Sequence, residues 1–190
     1  MQEWLPFVLA CIAILSAQPR HATSLEYNRA LGVECAHCHR GETYSDDTKP
    51  QFAIARNMSV MAAAVNERLG GEKVSCWTCH RGEVKPSRLP RAALDAELAK
   101  WPAELASAPE SQKLAMTVYD VTLGVGCDHC HTSDWKSREK DPIKTTATMN
   151  GLFEIFPKYM PEGARTQCFM CHKGSKKPPF KPSAEVAPKF

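Results

Sequence analysis

Cys35-Ala36-His37-Cys38-His39, Cys76-Trp77-Thr78-Cys79-His80, Cys127-Asp128-His129-Cys130-His131 and Cys168-Phe169-Met170-Cys171-His172 are four copies of one pentapeptide, Cys-x-x-Cys-His. The spacing has a chemical reason. Two thiols at i and i+3 of a tight helical turn can add to the two vinyl groups of one porphyrin, and the His that follows can then offer a ring nitrogen to the iron. The reading is four covalently attached haem c groups, held by Cys35, Cys38, Cys76, Cys79, Cys127, Cys130, Cys168 and Cys171, with His39, His80, His131 and His172 as the first axial ligands. These motifs use eight of the nine cysteines. A zinc site has no need of a His after each second Cys, a thioredoxin-like pair would sit alone in a βαβ context, and a disulfide framework would not repeat so regularly.

With 190 residues for four motifs, much of the apolar interior must be porphyrin, and the protein wraps its cofactors instead of building a large core of its own. The formal charge of +3, from 24 Lys and Arg against 21 Asp and Glu, is offset by two propionates per haem. A nucleic-acid partner is therefore not expected.

Residues 1–17 read as an export signal, or as a retained anchor: Leu5 to Leu15 is almost unbroken apolar sequence and Leu15-Ser16-Ala17 is a plausible cleavage site. The n-region lacks Lys and Arg. Cys11 reads as a residue of the signal core, with lipid attachment as the alternative. Haem attachment of this kind takes place outside the cytoplasm, so the expected location is periplasmic or extracellular, with membrane association open.

The chain reads as an internal duplication. Cys35 and Cys127, Cys76 and Cys168, Tyr27 and Tyr119, Leu31-Gly32-Val33 and Leu123-Gly124-Val125, and Pro86 and Pro178 all correspond at one shift. The expected organisation is two two-haem halves, 18–86 and 113–178, joined by a linker at 87–112 with a short amphipathic helix at 92–100, and a Pro/Lys-rich extended tail at 179–190. A helix is expected before each haem. The clearest spans are 52–69, stopped by Gly70-Gly71, and 112–123, stopped by Gly124. Strand signal is nearly absent, so the fold class is all-α with long loops.

The second axial ligands are limited by counting. Seven histidines less the four in the motifs leave His21, His37 and His129 for four distal positions. One iron at least needs another donor, and methionine thioether, which favours ferrous iron, is the candidate. Met58, Met116 and Met149 precede Cys76, Cys127 and Cys168 at helix-compatible distances, and core packing is the alternative for each. His37 and His129 occupy one slot in both halves and could reach only a neighbouring haem. His21 could cap the first haem.

A Met-bearing helix, a turn, then Cys-x-x-Cys-His, repeated as paired halves, resembles the tetrahaem cytochrome subunit of photosynthetic reaction centres. The matching stretches are Ala55-Arg56-Asn57-Met58 leading to Asn66, Cys76 through Gly82, and Met116-Thr117-Val118-Tyr119-Asp120 leading to Leu123-Gly124 and Cys127. The resemblance implies a largely helical protein carrying electrons along a row of haems, three His/Met and one bis-His, to redox partners such as a membrane reaction centre. Two positions depart from it: Ser24 stands where the second half has Met116, and no His lies between Met58 and Cys76. Three functions follow: a tetrahaem electron carrier without catalysis; a subunit of an extracellular haem filament, a homo-polymer with distal ligands passed between chains; and a haem enzyme or sensor with an open first iron. No acid/base set nominates a catalytic residue.

Overall fold

A computed structural model describes residues 24–41, Tyr44 and 46–182. The segment read as a signal, Cys11, His21 and the end of the tail lie outside the described residues.

The described chain is helical, with seven α-helices: α1 Ser24–Leu31, α2 Pro50–Leu69, α3 Cys76–His80, α4 Arg91–Leu98, α5 Glu110–Leu123, α6 Asp141–Asn150 and α7 Cys168–His172. Single 3-10 turns cover Cys35–His37 and Cys127–His129. Among the described residues there is no strand, and one isolated bridge joins Arg40 to Asp46. The all-α reading holds.

Helix ends follow local chemistry. Pro50 opens α2, where its missing N–H costs nothing, and Gly70 closes it at φ +70°, a conformation that a residue with a Cβ adopts reluctantly. Gly124 closes α5 in the same way at φ +64°. The linker helix runs over Arg91–Leu98, within a residue or two of its expected span. Sequence reasoning did not delimit α1 and α6.

One set of contacts occurs twice. Gly82 N–H donates to Ala30 O at 2.8 Å, and Gly174 N–H to Thr122 O at 2.8 Å. Val33 N–H reaches Asn28 O at 3.2 Å, and Val125 N–H reaches Asp120 O at 3.1 Å. Lys49 Nζ caps Ala36 O, and Lys140 Nζ caps Asp128 O. Gly32 and Gly124 permit the closest approach: a Cβ on Gly32 would stand 2.1 Å from Gly82 O, and one on Gly124 2.2 Å from Gly174 O. Thus α1 is pressed onto the turn after α3, and α5 onto the turn after α7. The turn after the second motif is thereby held to the helix before the first, and the turn after the fourth motif to the helix before the third.

The helices α3 and α7 pack against each other. Arg81 Nη2 donates to Cys171 O at 2.6 Å and to His172 O at 3.4 Å. The segment after α7 folds back, where Ser75 Oγ donates to Phe180 O. The buried apolar side chains among the described residues are Ala30, Val65, Leu94 and Leu152. That is too small a set to hold a chain of this length on its own, so apolar side chains must line spaces filled by something else.

Candidate haem sites

The first space is a cavity of about 460 Å³ walled by Ser24, Tyr27 and Asn28 of α1, the motif residues Cys35, Cys38 and His39, and Phe52, Ala55 and Arg56 of α2. The second, about 590 Å³, is walled by Met116, Tyr119 and Asp120 of α5, by Cys127, Cys130 and His131, and by Ile143, Thr146, Ala147 and Asn150 of α6. Trp101 and Leu105 of the linker and Trp135 also line it. Both volumes suit a drug-sized or cofactor-sized ligand. In each, the two thiols and the following His are lining residues.

The histidines are prepared as ligands in two ways. His80 Nδ1 lies 2.9 Å from Glu83 O, and His172 Nδ1 lies 2.8 Å from Ser175 O. A carbonyl only accepts, so Nδ1 carries the proton in both, and Nε2 is left with a bare lone pair, the form that binds a metal. Burial pushes the His80 imidazole below its ordinary range, with the Glu83 carbonyl opposing, and so favours the neutral ring. His39 and His131 have buried Nδ1 atoms without a partner. Their rings rest edge-on against Phe52, 5.2 Å between centroids, and tilted against Trp135, 5.6 Å. Both rings line the cavity that also holds the two cysteines of their own motif.

Attachment needs thiols. Burial pushes Cys38, Cys76, Cys127, Cys130 and Cys168 up, which keeps them protonated. Cys79 and Cys171 instead meet each other as a disulfide, with Cα atoms 3.9 Å apart. Sequence reasoning did not anticipate this pairing, which arises because α3 and α7 cross at these two residues. A sulfur that forms the disulfide cannot also form a thioether, so haem attachment at the second and fourth motifs requires this pair in its reduced form.

The structure sorts the distal candidates. Met116 lies in the same cavity as His131, and Ser24 holds the equivalent place near His39. Met58 on α2 and Met149 on α6 are half-buried, and the face of α2 on the first cavity uses Phe52, Ala55 and Arg56 instead. Asn66, further along α2, holds the loop into the second motif, accepting from Lys73 and Val74 N–H at 2.8 and 2.7 Å and donating to Val74 O at 2.8 Å. His37 and His129 end the two 3-10 turns. Neither is on the wall of its own cavity.

Sequence reasoning missed one tyrosine clamp and one charge. Asn150 Nδ2 donates to the Tyr119 hydroxyl at 3.0 Å, tying α5, before the third motif, to α6, after it. Asn28 Nδ2 lies 3.5 Å from Cys35 Sγ, and at the matching place Asp120 Oδ2 lies 3.7 Å from Cys127 Sγ. Reading Asn28 against Asp120 at the repeat shift would have exposed the difference.

An all-helical chain with Cys-x-x-Cys-His turns on cavity walls is of the cytochrome c class. Residues 30–118 match the family model described as photosynthetic reaction centre cytochrome C subunit. It contains the first and second motifs and ends before the third. The photosynthetic reaction center cytochrome c subunit of Roseobacter denitrificans is 25% identical over 223 aligned residues, 76% of this chain and 60% of that protein. The subunit of the same description from Rubrivivax gelatinosus is 36% identical over 59 residues, 29% of this chain and 16% of that protein. The chain therefore spans about three-fifths of the length of the first relative.

Proposed function

We propose that this chain is a tetrahaem c-type cytochrome that carries electrons through a row of haems, without catalysis, between redox proteins outside the cytoplasm. One observation carries the reading: each cavity is lined by both cysteines and the His of one motif, Cys35, Cys38 and His39 in one and Cys127, Cys130 and His131 in the other. The recurrence of the same contacts 91 or 92 residues further on supports an internal duplication of a two-haem unit.

When bound, haem supplies an iron that cycles between Fe(III) and Fe(II). The chain supplies the rest. Cys35, Cys38, Cys76, Cys79, Cys127, Cys130, Cys168 and Cys171 anchor the porphyrins, and His39, His80, His131 and His172 bind the irons. Met116 caps the third iron, and Met58 and Met149 cap the second and fourth. The Gly32–Gly82 and Gly124–Gly174 approaches support close spacing within halves, and the α3–α7 crossing supports it between halves. The row this favours runs first, second, fourth, third.

The relatives are reaction-centre subunits by description, which supports a membrane complex as partner and an exported location. No helix among the described residues is long and apolar enough to cross a membrane. Ser24 in the first cavity favours a second reading for that haem, because a hydroxyl is a poor ligand for haem iron. Its cap then comes from His21, or from another chain as in a filament, or the iron is open and the protein senses or transforms a small ligand. Carbon monoxide titration of the reduced holoprotein tests the carrier reading. No binding at any haem is expected, and stoichiometric binding at one haem favours the open iron.

A further inference from the structure

The two matching cavities differ in the charge of one half-hidden side chain. Asn28 on α1 is 6% exposed and sets its amide against Cys35 Sγ; Asp120 on α5 sets its carboxyl against Cys127 Sγ. Both line the cavity that holds their motif's His. We infer that Asp120 lowers the reduction potential of the third haem by placing a carboxylate beside its porphyrin, where the first haem meets a neutral amide. The inference rests on the haem reading above and adds to it a residue that tunes one site of the row.

The physics is Coulombic. Reduction of Fe(III) to Fe(II) removes one positive charge from the haem, so an adjacent carboxylate favours the oxidised state, and a poorly solvated site screens it weakly. Attachment sharpens the effect. Addition of the Cys127 thiol across a vinyl group forms the sulfur–carbon bond and passes the sulfur's hydrogen to the other vinyl carbon, so Asp120 loses its S–H donor and is left facing the cofactor. Glu97 from α4 and Asp128 from the motif add negative charge nearby, and His131 opposes them. Lys136 and Arg138 line the same cavity.

Asp120→Asn and Asn28→Asp in the full holoprotein test this, each compared with wild type by spectroelectrochemical titration and haem mass count. Asp120→Asn should shift one midpoint potential upward, and Asn28→Asp should shift a different one downward, with four haems in each variant. Unmoved potentials, or shifts of one sign in both variants, would overturn the role of Asp120. If Asp120→Asn fails to load its haem, Asn28→Asp decides alone: a downward shift upholds the inference and no shift overturns it. A wild-type count below four haems would sink the underlying haem reading instead, a separate outcome.

Discussion

Cys79 and Cys171, 92 residues apart in sequence, meet with their Cα atoms 3.9 Å apart at the crossing of α3 and α7. The second motif thus faces the fourth, and Arg81 bridges the same crossing through the Cys171 and His172 carbonyls. Charge-assisted hydrogen bonds of this kind contribute roughly 1.5–3 kcal/mol. Arg81→Ala should destabilise the α3–α7 contact by about that amount, seen as a lower chemical-denaturation midpoint or as separate unfolding steps. An unchanged, single transition would show that the crossing does not depend on Arg81.

Gly32→Ala tests the close approach within the first half. A left-handed alanine costs about 1–2 kcal/mol, and its Cβ would stand 2.1 Å from the Gly82 carbonyl oxygen, so the backbone must part and the total loss should exceed about 2 kcal/mol. Gly124→Ala should behave alike in the second half. Gly41→Ala, where a Cβ meets nothing within 4 Å, should cost only the conformational part.

Met116→Ala should remove part of the red-end sulfur-to-iron absorption of the oxidised protein and create a reduced haem that binds carbon monoxide. Ser24→Met should add sulfur-to-iron absorption at the first haem. If Met116→Ala leaves both signals as in wild type, Met116 is a wall residue and not a ligand.

Asp120 also gives a pH dependence with a definite sign. Burial, the largest cause, raises its carboxyl above the ordinary value, so the folded state holds this proton to higher pH than the unfolded state does. Its contribution to stability is therefore fully present below about pH 3.9, the unfolded value, and is lost as pH rises through the folded value. In the reduced protein, whose haem attracts the carboxylate less, Asp120→Asn should raise the melting temperature at neutral pH, by an amount that shrinks toward pH 4. A gain independent of pH would point to packing instead.

Much of this was legible in the chain because it is local. Pro50 and Gly70 bound α2, and Gly124 stops α5, so both helices were readable to within two residues. The helix α6 was not, since Thr145, Thr146 and Thr148 depress helix propensity and dilute the apolar stripe; they bond back to their own turns at Asp141, Pro142 and Lys144 carbonyls. The motif residues of the first and third sites were readable as clusters, but that Met116 lines the second cavity and Ser24 the first required the packing of α5 and α1. Nothing local marks Cys79 and Cys171 as neighbours. Their meeting follows from how α3 and α7 cross, which is a tertiary fact.

Intact-mass measurement of the denatured mature holoprotein, paired with a pyridine haemochrome count, checks for four covalent haems on eight cysteines. The expected result is the polypeptide mass plus four haems, no free motif thiol and no Cys79–Cys171 disulfide. A mass with three haems or fewer, or a disulfide between Cys79 and Cys171 surviving in the mature protein, would contradict it.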